Sequence, residues 1–315
     1  MNALAVDLGG SHATCALVRD GEVAARRRLE LSGLHGLKPA MPAIAGALRA
    51  AASDGGAQLT ECAGVAFCFC GLVDPVRMRV TSTNAKYDDA PEIDFTGWAS
   101  TELGLPLRLE NDARVALLGE RYKGAAQGFD DIVMITLGTG VGGAAMMCGR
   151  LVRGRHYQAG CLGGHLLARY DGRLCTCGAI GCVETEGSTF ALPALCREHP
   201  DFQTSPLAAE ERIGFDVLFR HAEHGDSCAR SVLDRCIRVW SAAIVSLIHA
   251  YDPEVVVVGG GVMKASHDLV RRFAEYTNRH SWTPWGRVQV RAAALGDDAA
   301  LLGAIPLFEE ATIEQ

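Results

Sequence analysis

The chain has 315 residues, 49% of them hydrophobic and 21% charged, with 30 Lys and Arg against 37 Asp and Glu and a formal net charge of −7. This length accommodates two domains and a substantial core, and an acidic balance with scattered Lys and Arg argues against nucleic acid, whose phosphates are met by basic stripes. No apolar run approaches the roughly eighteen residues of a membrane span, and Asp7 inside the first apolar segment, with no basic region before it, excludes a signal peptide.

The first element is a strand over residues 3–8, breaking at Asp7-Leu8-Gly9-Gly10-Ser11. A second strand over 13–18 ends at the turn pair Asp20-Gly21. The run Arg26-Arg27-Arg28 reads as a solvated strand or turn edge. Residues 64–70 form another apolar strand, ending in Gly71-Leu72-Val73-Asp74-Pro75. Cys68 and Cys70, two apart, share one of its faces as small buried residues. A short strand over 105–109 runs into Glu110-Asn111-Asp112, and 113–120 has helical spacing with Asn111 or Asp112 at its N-cap.

The opening plan recurs downstream: a strand over 132–137, the turn Gly138-Thr139-Gly140, a return strand over 142–147, and the turn Cys148-Gly149. A shift of 129 residues places Asp7 on Thr136 and Gly9 on Gly138. Two such units imply two related domains, chance similarity of two hairpins being the alternative. Further on, 201–214 reads as helical and about 228–250 carries the strongest helical periodicity. A buried strand over 254–258 is broken by Gly259-Gly260-Gly261. The end, from Gly296-Asp297-Asp298 to Phe308, reads as a capped helix. Alternating strands and helices give an α/β fold with mixed sheets.

His165 is followed by Cys175-Thr176-Cys177 and then by Cys182-Val183-Glu184. One imidazole and three thiolates close a tetrahedral Zn²⁺ site. Four protein ligands leave no open position, so the metal is expected to be structural, holding Glu184 and the His165 loop. The other reading is four core residues that cluster by chance, which the polar surroundings from Arg173 to Glu184 disfavour. Twelve cysteines would suggest disulfides in a short secreted chain; at this length the compartment reads as cytoplasmic.

Three glycine turns each follow an apolar strand, and glycine lets backbone N–H groups approach phosphate oxygens. The turn at Asp7-Gly9-Gly10 and the turn at Thr136-Gly138-Thr139-Gly140 are expected to face each other across an interdomain cleft, with Asp7 suiting a Mg²⁺ shell through water. No Walker pattern is present and no Gly-x-Gly-x-x-Gly opens the first strand-to-helix turn, which argues against a P-loop enzyme or simple dinucleotide binder. Asp112 follows a strand directly, a usual place for active-site residues in α/β folds. The positive helix end is expected to keep its pKa low, which phosphoryl transfer tolerates because the acceptor's proton leaves late.

Asp7-Leu-Gly-Gly10, Glu110-Asn-Asp112, Leu137-Gly-Thr-Gly140, Gly164-His165 with the cysteine cluster, and Gly259-Gly-Gly-Val262 together resemble the ROK (repressor, open reading frame, kinase) family over nearly the whole chain. The resemblance implies the actin-like, hexokinase-like two-domain ATPase fold. It divides the chain into a smaller domain over 1–112 plus about 297–315 and a larger one over 113–296 carrying the zinc. It also implies ATP-dependent phosphorylation of a hexose or amino sugar by a glucokinase-like enzyme using ATP, Mg²⁺ and structural Zn²⁺. Asp112 matches the family's catalytic base. Asn111, His165 and Glu184 match sugar-hydroxyl ligands, with Gly71 and Asn84 at further sugar-loop positions and Trp98 at a packing aromatic. Asp7, Gly9, Gly10, Ser11 and His12 form the first nucleotide turn, Thr136, Gly138, Thr139 and Gly140 the second, and Gly259, Gly260 and Gly261 the third. The expected partners are a small-molecule sugar, ATP and a second copy in a homodimer, with neither nucleic acid nor membrane.

One departure stands out. The family's Gly-Glu-x-Gly-His becomes Cys161-Leu162-Gly163-Gly164-His165, so Leu162 replaces a sugar-binding glutamate and leaves the sugar open. The loop from Asn84 to Asp89 is also longer and more polar than usual and could close over substrate. A non-catalytic sugar or nucleotide sensor is the alternative function. A transcription regulator of the family would carry a DNA-binding domain ahead of the hairpin at Ala3, and a zinc-ribbon module would carry Cys-x-x-Cys pairs.

Overall fold

A computed structural model describes residues 1–83 and 86–313 and divides the chain into two compact units. The first comprises 1–128, 153–159 and the segment from 294 onward; the second comprises 129–152 and 160–293. Each is built on a five-stranded sheet.

In the first unit, β1 (Asn2–Leu8) pairs antiparallel with β2 (His12–Arg19), and β2 with β3 (Glu22–Glu30). On its other side β1 runs parallel to β4 (Cys62–Phe69). A two-stranded ribbon, β5 (Leu72–Asp74) and β6 (Arg79–Ser82), follows, and β7 (Leu107–Asn111) completes the sheet beside β4. The order is β3-β2-β1-β4-β7. Helix α1 (Met41–Asp54) buries Ile44, Ala45, Leu48, Ala51 and Ala52, an apolar stripe of helical period. Helix α2 (Phe95–Leu103) is capped by Asp94, whose carboxylate accepts from Gly97 N at 2.9 Å. Trp98 packs edge-on against Phe67 at 6.1 Å.

Helix α3 (Asp112–Lys123) belongs to this unit, so the division falls at Gly128 and not at Asp112 as the resemblance implied. The tie is Glu120, fully buried, whose carboxylate accepts from the amides of Ala125 at 2.7 Å, Ala294 at 3.0 Å and Leu295 at 2.9 Å. Residues 153–159 join the same unit through buried Arg114. Its guanidinium donates to the carbonyls of Tyr157 at 3.1 Å and Ala159 at 2.6 Å and pairs with Glu110 at 3.1 Å. Arg153 donates to the other oxygen of Glu110 at 2.8 Å.

The second unit repeats the plan. β8 (Ile132–Leu137), β9 (Val141–Met147) and β10 (Arg150–Leu151) are antiparallel neighbours, while β11 (Val255–Gly259) and β12 (Gln289–Ala292) extend the sheet in parallel from β8. The order β10-β9-β8-β11-β12 matches the first sheet strand for strand. Its helices are α4 (Val183–Gly187), α5 (Leu192–Arg197), α6 (Phe215–Glu223), α7 (Ser227–Tyr251) and α8 (Leu269–His280). Asp226 caps α7 by accepting from Ala229 N at 2.7 Å.

Several expectations change in detail. Residues 201–214 form only 3₁₀ turns, Phe202–Thr204 and Pro206–Ala209, because Pro206 lacks the amide that would continue a helix. The C-terminal stretch is a 3₁₀ turn, Gly296–Asp298, then separate helices Ala299–Leu302 and Ala304–Ile313 broken at Gly303. No described helix is long and apolar enough to cross a membrane.

Candidate functional site

In the first unit the site grows from three chain breaks around β1, β4 and β7. Asn111 at the end of β7 caps α3, its Oδ1 accepting from Arg114 N at 3.2 Å. Its Nδ2 donates to Gly71 O at 3.1 Å and to Asp112 Oδ1 at 2.9 Å. Both amide hydrogens of Asn111 are thereby committed, so it orients Asp112 and braces the Gly71 loop. Asp112 Oδ1 also accepts from Ala113 N at 2.8 Å. Its Oδ2 has no hydrogen-bond partner among the described residues. Asp112 is thus held by one oxygen and offers the other.

Burial raises the Asp112 pKa to about 6, against the opposing effect of its backbone and Asn111 hydrogen bonds. The low value expected from the helix end is therefore corrected: desolvation outweighs the helix terminus. A carboxylate near pKa 6 is a better proton acceptor and is still ionised at neutral pH.

Asp7, in register with Thr14 and Cys68, is the penultimate residue of β1. Burial raises its pKa to about 7, with further upward pushes from Asp112 and Asp297. The negative charges of Asp112 and Asp297 acting on Asp7 favour a bound cation there. Asp297, in the turn Gly296–Asp298, was read from the sequence only as part of a helix cap. The Gly9 amide closes the first turn on His12 O at 2.9 Å, and Ser11 Oγ lies 3.3 Å from His12 Nδ1. Gly10 and Ser11 are exposed.

Asn84 lies outside the described residues, but the loop after it is anchored. Tyr87, with a buried ring and φ of 61°, donates from its hydroxyl to Gly9 O at 2.9 Å and packs on Phe69. Asp89 accepts from the amides of Leu37 at 2.6 Å and Lys38 at 2.8 Å. Nothing in the local sequence marks Tyr87, because the link joins residues 78 apart.

In the second unit, the turn after β8 is fixed by Glu184. Its Oε2 accepts from Val141 N at 2.9 Å, while Thr189 N and Phe190 N donate to the carbonyls of Gly138 and Thr139 at 3.0 Å. One oxygen of Glu184 is thus bound to the glycine turn. The third turn needs glycine at 260: φ is +93°, and a Cβ there would lie 2.2 Å from Leu137 O. Beside it lies a cavity of about 240 Å³ lined by Thr189, Phe215, Asp216, Gly261, Val262, Lys264 and Ala265. Its apolar side chains, Phe215, Val262 and Ala265, suit a nucleoside, and its charged groups, Lys264 and Asp216, are of opposite sign. The sequence reading found Gly261 but not Phe215 or Lys264.

His165 ends a 3₁₀ turn, Gly163–His165, whose first cap is Leu162. A Cβ at Gly164 would lie 1.8 Å from Val141 O, so only glycine lets the histidine turn sit against the start of β9. The ligand atoms of His165, Cys175, Cys177 and Cys182 all lie within 4.8 Å of one another. Cys175 Sγ is 3.6 Å from His165 Nδ1, and the sulfurs of Cys177 and Cys182 are 3.6 Å apart. A tetrahedron with Zn–S of about 2.3 Å has sulfur–sulfur edges of about 3.8 Å, so the donor set fits zinc. The Nδ1 side of His165 faces the thiols. Leu167, Tyr170, Leu174 and Ile180 are exposed on this loop, which is less polar than the sequence suggested. Glu186, fully buried, anchors the loop by accepting from Arg173 N at 3.0 Å and from Arg235.

The family model described as the ROK family matches residues 3–311. A glucokinase from Thermotoga maritima is 29% identical over 98% of this chain and 98% of its own length. An N-acetylmannosamine kinase from Salmonella arizonae is 29% identical over 99% of this chain and 100% of its own length. A ROK family glucokinase from Streptomyces griseus, solved with glucose and AMPPNP, superposes with a TM-score of 0.82 at 28% identity, covering 98% of this chain and 100% of the other.

Proposed function

The chain is a member of the ROK family, and on that premise we propose that it transfers the γ-phosphoryl group of ATP to a hydroxyl of a hexose or amino sugar. The observation carrying this reading is Asp112, with Oδ1 held by Asn111 and Ala113, Oδ2 open, and a pKa of about 6. Asp112 Oδ2 takes the proton of the acceptor hydroxyl as its oxygen bonds to the γ-phosphorus. The bond from that phosphorus to the β,γ-bridging oxygen breaks, and ADP leaves with the electron pair. Asn111 keeps the carboxylate in line, and Gly71 shapes the sugar loop that Asn111 braces.

Asp7, with Asp112 and Asp297 beside it, would hold Mg²⁺ through water, and the metal supplies charge neutralisation at the phosphates. The amides of the first two glycine turns receive phosphate oxygens. The cavity with Phe215, Val262 and Lys264 takes the nucleoside side. His165, Cys175, Cys177 and Cys182 would hold structural zinc, leaving Nε2 of His165 for a sugar hydroxyl. Glu184 keeps one oxygen for the sugar while the other holds Val141. We place the enzyme in the cytoplasm as a homodimer.

Leu162 leaves the identity of the sugar to experiment. A missing charged acceptor costs roughly 1.5–3 kcal/mol, which favours a sugar altered at the substituent it would contact. The test is kcat/KM by coupled ADP release across glucose, mannose, allose, fructose and the N-acetyl amino forms, with metal analysis of chelator-free protein. Sugar-dependent ADP release and one zinc per chain are expected. ATP hydrolysis or binding without sugar turnover would favour the sensor reading.

A further inference from the structure

Apart from these residues, α7 and α8 leave between them a groove of about 320 Å³, near the lower end of metabolite pockets. Arg238 enters it from α7; Arg272, Tyr276, Arg279 and His280 enter it from α8. Tyr276 and His280, one helical turn apart, stack with centroids 4.3 Å apart and form a flat wall.

The charges are unevenly paired. Asp234 Oδ1 accepts from Arg272 at 2.7 Å, and Glu275 Oε1 from Arg271 at 2.5 Å. Arg235 is bound to Glu186. Arg238 and Arg279 make no hydrogen bond or ion pair among the described residues. A single exposed arginine is ordinarily a solvated side chain, and Arg279 also complements the C-terminus of α8. Neither explanation accounts for two unpaired guanidiniums from separate helices converging on one concave site in a chain of net charge −7.

We propose that this groove binds the phosphate monoester of a small polyol, with its phosphoryl group between Arg238 and Arg279. Guanidinium forks match phosphoryl oxygens in bidentate geometry. The second oxygens of Asp234 and Glu275 accept hydroxyl hydrogens, and the ring wall covers the carbon skeleton. The phosphoryl group fits the arginines, and the polyol accounts for acidic residues that a site for bare phosphate would avoid. This is the product class of a sugar kinase; its source in the cell rests on that reading, whereas the chemistry of the groove does not.

Occupancy would be felt elsewhere through Trp240, two residues beyond Arg238. Its Nε1 donates to Gly187 O at 2.8 Å, in the helix that carries Glu184. Its ring meets Phe215 of the nucleotide-side cavity at 5.0 Å and Phe273 of α8 at 6.3 Å. A ligand bridging α7 and α8 therefore loads the residue that supports both neighbours.

Calorimetric titration of the full chain with glucose 6-phosphate, inorganic phosphate and glucose tests the site without turnover. We expect one equivalent of glucose 6-phosphate that persists in Asp112→Asn and under saturating sugar with AMPPNP. It should weaken by roughly tenfold or more in Arg238→Ala and in Arg279→Ala, both exposed and expected to fold, with circular dichroism as the check. Inorganic phosphate should bind there more weakly, and glucose not at all. Absence of an arginine-dependent equivalent overturns the site; equal binding of inorganic phosphate overturns the polyol assignment. In kinetics, glucose 6-phosphate should shift the sugar KM beyond product competition in the natural chain only, and the same shift in the double variant Arg238→Ala/Arg279→Ala overturns the coupling. Lack of kinase activity would sink the proposed function and leave the binding result standing.

Discussion

The turn after β1 and the turn after β8 stand at equivalent places in two sheets of the same strand order, yet they differ in charge. The first has Asp7 as the penultimate residue of its strand, and Asp112 and Asp297 push its pKa upward beyond the effect of burial. The second has Thr136 as the penultimate residue of its strand, and the carboxylate near its turn, Glu184, accepts from the Val141 amide at the start of β9. The first turn therefore carries surplus negative charge and suits a cation. The second has threonine at the matching position, and its neighbouring carboxylate, Glu184, is tied by one oxygen to the Val141 amide, so the turn itself carries no acidic side chain. A duplicated backbone supplied two loops; the penultimate residue of each strand decided what each can hold.

The sharpest test of that contrast is Asp112→Asn, which keeps an oxygen for Ala113 and Asn111 and removes the base. kcat should fall by roughly 10²–10⁴-fold, while nucleotide affinity changes little. Near-normal turnover would reduce Asp112 to a residue that merely begins α3. In the natural chain kcat/KM should fall as pH drops below about 6, the value to which burial raises Asp112, and Asp112→Asn should remove that limb. A profile flat to pH 5 contradicts the assignment.

Asp7→Asn should come next, raising the Mg²⁺ concentration for half-maximal activity by about 10–100-fold, the usual range for groups acting on a metal through its shell. Thr136→Ala, its counterpart in the second turn, should leave Mg²⁺ dependence unchanged and raise the KM for ATP by only about 2–10-fold. Equal Mg²⁺ effects at the two positions would erase the distinction.

Stability offers a smaller effect of opposite sign. An acid whose pKa is raised on folding costs nothing below its unfolded value of 3.8, where both states are protonated. Stability then falls as the unfolded chain ionises first, and the full cost is present above about 6. Asp112→Asn should therefore stabilise the metal-free, nucleotide-free protein above pH 6 by on the order of 2–3 kcal/mol, but by only about 0.4 kcal/mol at pH 3.8, where the unfolded carboxyl is half ionised. Denaturant titrations at the two pH values measure the difference.

Much of this was legible in the sequence, wherever function is carried by neighbours in the chain. The glycine turns, the Asn111-Asp112 pair and the ligand spacing from His165 to Cys182 announce themselves because a strand end, a helix cap and a metal loop are local constructions. Helix α7 was legible because its 25 residues sustain one apolar face. Helices α1, α2 and α8 passed unread. α2 has only nine residues, and α8 buries only Leu269, Phe273 and Thr277, a stripe too narrow to stand out among its polar neighbours. Tyr87, Asp297 and Lys264 also escaped, since each reaches its role through partners remote in sequence.

The sequence by itself determined the class of chemistry: which residue types stand at strand ends, which four donors can close on a metal, and that one hairpin plan is used twice. Only the tertiary structure decided the electrostatics and the allegiance of segments. Whether a carboxylate is a weak or a competent base depends on how much water its neighbours remove, and burial set Asp112 near 6 where the helix terminus alone would have lowered it. Whether α3 and residues 153–159 belong with the first sheet depends on where buried Glu120, Glu110 and Arg114 find partners. A buried charge must be satisfied wherever the fold brings a donor or acceptor, and those partners lie far away along the chain.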